Sequence, residues 1–244
     1  LQHFAPAKQA GRETVCKWAT KACIRGCLDD SGRAAILKPG ETTNHIKRAR
    51  KWRTRFFYDH REQYFHQLIH ELNLFDKWCK RKGVPAAVRL NGTSDIEWEA
   101  YDLPRNFPDI QFYDYTKGID RMMAFLDRGS EFSAWPRNYW LTFSRTEDNW
   151  YKCDQVLQFG GNVAVVVAEP IKQRYLERGI YREPHLYDRG WDCVDGDTHD
   201  FLPARGGSKV LLLTPKGKKM KADKSGFVVR EFIIIAKPRQ GGLT

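Results

Sequence analysis

The sequence contains no long hydrophobic run. Its two longest apolar stretches are residues 163–168 and 232–236, whereas a helix that crosses a bilayer needs about 20 apolar residues. The chain also shows no signal-peptide pattern. We therefore expect a protein that has no membrane partner and that works in the cytoplasm.

Several common catalytic motifs are absent too. The sequence has no G-x-x-x-x-G-K-[ST], no G-x-S-x-G, no H-E-x-x-H and no G-x-G-x-x-G. Each of these patterns builds a specific phosphate, nucleophile, zinc or dinucleotide site. Their absence argues against a P-loop nucleotidase, a serine hydrolase and a simple dinucleotide dehydrogenase.

Cysteine is too scarce for a secreted disulfide scaffold, because the chain has six cysteines in 244 residues. Three of them, Cys79, Cys153 and Cys193, are isolated, and we expect them to be buried as small apolar side chains. The other three, Cys16, Cys23 and Cys27, form a C-x6-C-x3-C cluster. We therefore expect reduced thiols, with the cluster as the chemically informative group.

The cysteine cluster predicts a metal site. Three thiolates and one open position suit a [4Fe–4S] cluster with a free iron, or a zinc ion that a fourth residue completes. For zinc, the candidate fourth ligands are His3, His45 and Cys193. Unligated cysteines are the remaining interpretation.

The net charge of the chain is strongly positive, at +11, and the basic residues are clustered in the sequence. A predicted helix from Asn44 to about Tyr58 places aromatic side chains among six cations: Lys47, Arg48, Arg50, Lys51, Arg53 and Arg55. Such a surface can bind phosphates and stack on bases, so we expect nucleic acid or a phosphate-bearing small molecule as partner. The alternative is a solvated face with Trp52 and Phe56 in the core. A second basic stretch covers residues 216–225.

The hydrophobic pattern predicts one domain over residues 1–244. Residues 1–43 read as an irregular cysteine-bearing segment, residues 44–82 as a pair of helices, and residues 83–244 as an α/β body. Predicted strands cover residues 86–90, 110–115, 139–143, 163–167, 210–213 and 227–236, and predicted helices cover residues 118–126, 146–159 and 170–178. Alternating strands and helices indicate a mainly parallel sheet, and the last two strands read as a hairpin.

The predicted strand ends are rich in polar residues. In parallel α/β folds, sites form where strands end, so we expect one pocket at these ends. Its candidate catalytic residues are Asp95, Asp114, Lys117, Asp195 and Asp197. Its candidate cofactor-binding residues are Arg89, Asn91, Thr93, Ser94 and Ser144. Taken singly, several of these residues also fit turns or helix caps.

Six blocks of the sequence resemble a family of phage and plasmid-borne proteins. The shared features are the cysteine block with its following SGR (residues 16–32), RLNGTSDI (89–96), YDYTK (113–117), LTFSR (141–145), DGD (195–197) and SGFV (225–228). The resemblance covers most of the chain. It implies a mobile element, and hence the host cytoplasm, but no particular activity.

The order of elements also resembles radical S-adenosylmethionine enzymes, in which a three-cysteine loop precedes a partial (β/α) barrel. The resemblance implies that Cys16, Cys23 and Cys27 hold three irons and that the fourth iron binds the methionine part of S-adenosylmethionine near residues 91–95. The usual spacing in those enzymes is C-x3-C-x2-C, and the Gly-Gly-Glu motif is absent here. The implied fold is α/β and partial (β/α) barrel-like, with a mainly parallel sheet, an N-terminal cysteine loop and a C-terminal hairpin.

Two functions follow from these patterns. The first is an iron–sulfur enzyme of radical type that acts on a nucleotide or a nucleic-acid-related substrate. The second is a nucleic-acid-binding or nuclease-like protein that zinc or an inert cluster stabilises. In the second function, Asp95, Asp114, Asp195 and Asp197 would hold magnesium for phosphodiester chemistry.

Overall fold

The protein is described here by a computed structural model that covers residues 1–185 and 189–233. The described residues form one sheet of seven strands. The strands are β1 (Ala86–Val88), β2 (Ile110–Thr116), β3 (Tyr139–Ser144), β4 (Val163–Val166), β5 (Ile180–Tyr181), β6 (Trp191–Asp195) and β7 (Val210–Leu213).

Helices precede the sheet and alternate with its strands. They are α1 (Lys21–Arg25), α2 (His45–Asp59), α3 (Arg61–Lys82), α4 (Ile119–Leu126), α5 (Trp150–Gln158), α6 (Glu169–Arg178) and α7 (Lys218–Lys221). The Asn44 side chain caps α2 by accepting a hydrogen bond from the Lys47 N–H group. Gly83 ends α3 in the left-handed conformation, at a φ of 66°, which glycine adopts without steric cost.

The sheet has the order β1-β2-β3-β4-β7-β6-β5. All neighbouring strands are parallel except β5 and β6, which are antiparallel. Strand pairing does not close the sheet into a barrel, but the segments that follow β1 and β6 contact each other. Arg89, just after β1, forms an ion pair with Asp200, which follows β6, with an N–O distance of 2.9 Å. The mainly parallel, partial barrel-like α/β prediction is confirmed.

The order of the last strands differs from the prediction. The strand β7 inserts between β4 and β6 as a parallel strand, so it is not the first strand of a hairpin. The predicted hairpin partner, residues 227–236, forms only one parallel bridge within its described part, between Val229 and Val167. Residues 234–236 lie outside the described residues. The sequence indicated only the polar end of β6, at residues 195–200, and gave the strand no range because polar residues interrupt its apolar pattern.

The cysteine segment is irregular, as the sequence predicts, but it is anchored to the body of the fold. Phe4 and Val15 are buried in the main hydrophobic core. The Asp95 N–H group donates to the Val15 carbonyl at 2.7 Å, and the Gly92 N–H group donates to the Gln2 carbonyl at 2.8 Å. A Cβ atom at residue 92 would collide with that same carbonyl oxygen, so glycine is required there.

The buried face of α2 is not the apolar stripe that the sequence indicates. Arg50, Thr54 and Phe57 are buried, whereas Trp52 is 65% exposed. The reason is electrostatic: Arg50 forms a 2.5 Å ion pair with the buried Asp29 of the cysteine segment. The interpretation that placed Trp52 in the core is therefore wrong.

No helix within residues 1–185 and 189–233 is long and apolar enough to span a membrane.

Candidate active site

A cavity of about 440 Å³ lies at the carboxyl ends of the parallel strands. Residues that follow β1, β2, β3 and β6 line it, together with the cysteine segment and residues after β7. We call it the strand-end cavity. The position is typical for ligand sites in parallel α/β proteins, because the strand ends leave their following loops free to carry function.

Most of the residues selected from the sequence line this cavity. They are Cys16, Cys23 and Cys27; Arg89, Asn91, Thr93, Ser94 and Ser144; and Asp95, Lys117 and Asp197. Two candidates do not. Asp114 is 1% exposed and lies beneath the loop after β1, and Asp195 turns toward Lys172. The prediction that these two carboxylates face the pocket is wrong.

The three cysteines are half-buried free thiols on the wall of the cavity. The Cys16 thiol donates a 3.6 Å hydrogen bond to the Thr93 carbonyl. Burial raises the pKa of Cys16 to about 11 and that of Cys27 to about 12. These two thiols are therefore protonated at neutral pH until a positive charge, such as a metal ion, offsets the cost of ionisation.

Lys117 lines the cavity together with the three thiols and interacts electrostatically with Cys23 and Cys16. Burial by itself lowers the pKa of Lys117, but Cys23, Asp95 and Cys16 outweigh this effect and raise it. The end of β2 thus places a permanent positive charge beside the cysteines.

Residues from distant parts of the chain hold the helix α1, which carries Cys23. The Glu147 carboxylate accepts a 2.8 Å hydrogen bond from the Thr20 hydroxyl and a 3.3 Å hydrogen bond from the Ala22 N–H group. Arg25 forms an ion pair with Asp223 at 3.0 Å. The sequence reasoning missed Glu147 and Asp223, because no local pattern marks a contact across more than 120 residues.

The proposed fourth zinc ligands do not line the cavity. Cys193 is buried, and its thiol donates to the Tyr175 carbonyl at 3.4 Å. His45 is exposed at the start of α2, and burial lowers the pKa of His3 to about 4. Within residues 1–185 and 189–233, no group of three or more His, Cys, Asp or Glu side chains is arranged to hold a metal ion.

The side chains of the loop after β1 form hydrogen bonds within the loop and with neighbouring segments of the fold. The Asn91 side-chain oxygen accepts from the Ser94 hydroxyl at 2.8 Å and from the Trp98 indole at 3.2 Å. The Thr93 hydroxyl donates to the Phe4 carbonyl at 2.6 Å. These side chains fix the shape of the loop that forms this wall of the cavity.

A buried ionic network lies below this loop. The Arg121 guanidinium donates to Asp95 at 2.8 Å, to both oxygens of Glu99 at 2.6 and 2.7 Å, and to the Tyr139 hydroxyl at 2.7 Å. Tyr139 in turn donates to Asp114 at 2.7 Å. We call this set the Arg121 network. Asp95 also accepts from the Lys117 N–H group at 2.9 Å, so the network positions the lysine beside the thiols.

Asp114 makes the stability of the protein depend on pH. Burial raises its pKa to about 6, although Tyr139 and Arg121 favour the ionised form. The pKa of an unfolded aspartate is about 3.9, so the folded state holds this proton more tightly. The resulting stabilisation is fully present below about pH 4 and is lost as the pH rises to about 6, in total about 3 kcal/mol.

We therefore expect wild type to lose about 3 kcal/mol more than Asp114→Asn between about pH 3 and pH 7, about two thirds of it between about pH 4 and pH 6. Urea unfolding at several pH values measures this difference. The substitution also changes the hydrogen bonds of residue 114, but this effect does not depend on pH. Comparing how the free energy of unfolding changes with pH in the two proteins therefore removes it. Parallel pH profiles for the two proteins would show that the pKa of Asp114 is not raised.

The carboxylates after β6 are paired with cations. Lys172, which is 3% exposed, contacts Asp195 at 2.7 Å and Asp197 at 2.9 Å. Lys216 lies 3.2 Å from Asp197. Burial raises the pKa of Asp197, but hydrogen bonds from Lys172 and Thr214 outweigh it and hold the pKa well below the usual value. Asp197 is therefore a fixed anion and a poor proton donor or acceptor.

Two arginines order the rim of the cavity. The Arg145 guanidinium binds both oxygens of the buried Glu183 at 2.7 Å and donates to the Gly226 carbonyl at 2.7 Å. It thus fixes the segment after α7 against the end of β3. Arg89 lies 4.7 Å above the ring of Tyr115, which also lines the cavity.

The six cations of α2 lie outside the cavity and divide into two groups. Lys47 pairs with Asp30, Arg50 pairs with Asp29, and Arg53 donates to the His3 carbonyl at 2.6 Å. These three hold the cysteine segment, which corrects their assignment to a nucleic-acid surface. The remaining three, Arg48, Lys51 and Arg55, lie on the outer side of the helix. Arg55 also contacts the cysteine segment, because its guanidinium donates to the Ala10 carbonyl at 3.0 Å. Arg48 and Arg55 are exposed, and Lys51 is half-buried.

A model of the protein family described as Gene product 88 matches residues 3–231. A search of the curated proteins found no match, and a search of the solved structures found none.

Proposed function

The chain belongs to the Gene product 88 family, and on this premise we propose that it is a phage-type iron–sulfur enzyme with its active site in the strand-end cavity. One observation carries the proposal: Cys16, Cys23 and Cys27 line the same cavity as residues from four strand ends. The family is consistent with the phage proteins that the sequence motifs resemble.

The donor set fits a [4Fe–4S] cluster. Three thiols from separate short pieces of the cysteine segment face one cavity, and thiolates are the ligands that such clusters prefer. Lys117 offsets part of the negative charge that three thiolates bring. Cys16 precedes α1, Cys23 lies within it and Cys27 follows it. A cluster would have to draw these three pieces together, and metal sites commonly become ordered in this way on binding.

The same cavity offers a place for S-adenosylmethionine beside the cysteines. A [4Fe–4S] cluster with one iron free of protein ligands supplies an electron and a coordination position for the methionine part of this cofactor. The loop after β1 lines the cavity in a shape that the hydrogen bonds of Ser94 and Thr93 hold in place. Ser144 and Arg89 add a hydroxyl group and a cation, and such groups can orient a carboxylate or a ribose.

The charges around the cavity favour a phosphate-bearing substrate, such as a nucleotide or a nucleic-acid end. Lys216 is the most solvent-accessible of the lining cations, with a side chain 57% exposed. It follows β7 and already lies beside Asp197. A substrate phosphate can join this pair without burying an unpaired charge.

The second candidate function is a zinc-stabilised nucleic-acid-binding protein. The exposed cations Arg48 and Arg55, with the half-buried Lys51 beside them, favour nucleic-acid binding, whether or not the protein cleaves it. The carboxylates do not favour magnesium-dependent cleavage, because Asp95, Asp195 and Asp197 are each paired with a buried cation and Asp114 lies outside the cavity.

Metal analysis of protein purified without oxygen tests the proposal. We expect about four irons and four sulfides per chain and a broad absorbance band near about 400 nm, as thiolate-bound iron–sulfur clusters show. Stoichiometric zinc in a colourless protein would favour the second candidate. Protein without bound metal after reconstitution with iron and sulfide would overturn both.

A further inference from the structure

The outer face of α2 carries an aromatic stack that the cavity does not use. Trp52 is 65% exposed, and its ring lies 5.0 Å from that of Phe56 at an angle of 23°. Both side chains border a surface depression of about 440 Å³ together with Arg55, Asp59, His60 and Gln63. The open face of the Trp52 ring is therefore available for a further flat ring to stack on it.

Cations flank this stack at helical spacing. Arg48, Trp52 and Arg55 are separated by four and three residues, which places them on one side of the helix. Lys51 lies beside them. The carboxylate of Asp59, at the end of the same side, is neutralised by Arg12 at 2.6 Å. The surface is thus positive around a flat aromatic face.

We infer that this face, formed by Arg48, Lys51, Trp52, Arg55 and Phe56, binds single-stranded nucleic acid. Unpaired bases stack on aromatic rings whatever their sequence, while neighbouring cations bind the phosphates. A duplex keeps its bases stacked inside and offers the rings nothing to stack on. None of the five residues lines the strand-end cavity, so this binding is independent of the iron–sulfur proposal.

Fluorescence anisotropy with labelled single strands of about 15 nucleotides tests the inference. Oligothymidylate and oligouridylate as separate probes distinguish DNA from RNA. We expect Trp52→Ala to weaken binding about tenfold and Trp52→Phe, which keeps a flat ring, to weaken it less. Trp78→Ala is the matched control, because Trp78 is 47% exposed on α3 and stacks on Phe75, and it should bind as wild type does.

The salt dependence gives a second readout. The double variant with Arg48→Gln and Lys51→Gln should reduce the slope of log affinity against log salt by about 0.7 for each cation removed. Three results would overturn the inference: no binding of either probe by wild type, equal affinity of Trp52→Ala and wild type, or an equal loss in Trp78→Ala. Tighter binding of a duplex than of a single strand would overturn it as well.

Discussion

Replacing any one of Cys16, Cys23 and Cys27 by serine is expected to reduce bound iron and sulfide to less than about a tenth of the wild-type content. A serine hydroxyl ionises far less readily than a thiol and is a hard ligand, whereas iron–sulfur clusters require soft thiolates. Since the proposed cluster has three protein ligands and one open iron, no spare ligand compensates for a lost cysteine. Iron and sulfide assays on reconstituted protein measure the loss.

Two controls separate ligand loss from general damage. Cys79→Ala changes a cysteine that is 2% exposed on α3, away from the cavity, and should keep the wild-type metal content. Lys117→Met should keep the cluster ligands but remove the cation beside Cys23, so we expect partial loading. Wild-type iron and sulfide in all three serine variants would show that the cysteines are not the ligands.

The convergence of the polar strand ends follows from the sequence because parallel strands share a direction. Once alternating strands and helices are recognised, the residues after β1, β2 and β3 must lie at one edge of the sheet. This rule places Arg89, Lys117 and Ser144 around one cavity without any side-chain detail. It does not say which way each side chain points, and therefore it misplaced Asp114 and Asp195.

What the sequence could not predict depends on contacts between distant segments. The face of α2 was assigned from hydrophobic periodicity, but two aspartates of the cysteine segment draw Lys47 and Arg50 inward. The position of β7 between β4 and β6 likewise depends on how the sheet assembles. The ion pair between Arg145 and Glu183 cannot be predicted from the spacing of nearby residues in the sequence, because its partners are far apart along the chain. Four of the six cations that suggested a binding surface contact the cysteine segment: Lys47 and Arg50 form ion pairs with it, and Arg53 and Arg55 donate to its carbonyl groups.

Removing the charge of Arg121 is expected to destabilise the protein strongly. The side chain is 1% exposed and contacts Asp95, Glu99 and Tyr139. In Arg121→Met, the largely buried carboxylates of Asp95 and Glu99 lose their cation. Asp114 also loses the nearby positive charge that favours its ionised form. Breaking a buried ion pair from one side costs about 3–5 kcal/mol. The free energy of unfolding of a protein is typically about 5–15 kcal/mol in total, so this loss is large. We expect the melting temperature of Arg121→Met to be lower than that of wild type by about 10 °C.

The consequence for the site follows from the same contacts. Without Arg121, Asp95 is no longer held in place, and its hydrogen bond to the Lys117 N–H group weakens, so metal loading should fall together with stability. Arg12→Met is the matched control, because Arg12 makes an equally short contact with Asp59 at the surface, where water and salt screen the charges. It should leave the unfolding midpoint almost unchanged. If Arg121→Met and Arg12→Met unfold at the same urea concentration, the Arg121 network does not stabilise the fold, and the positioning of Lys117 must come from the packing of β2 alone.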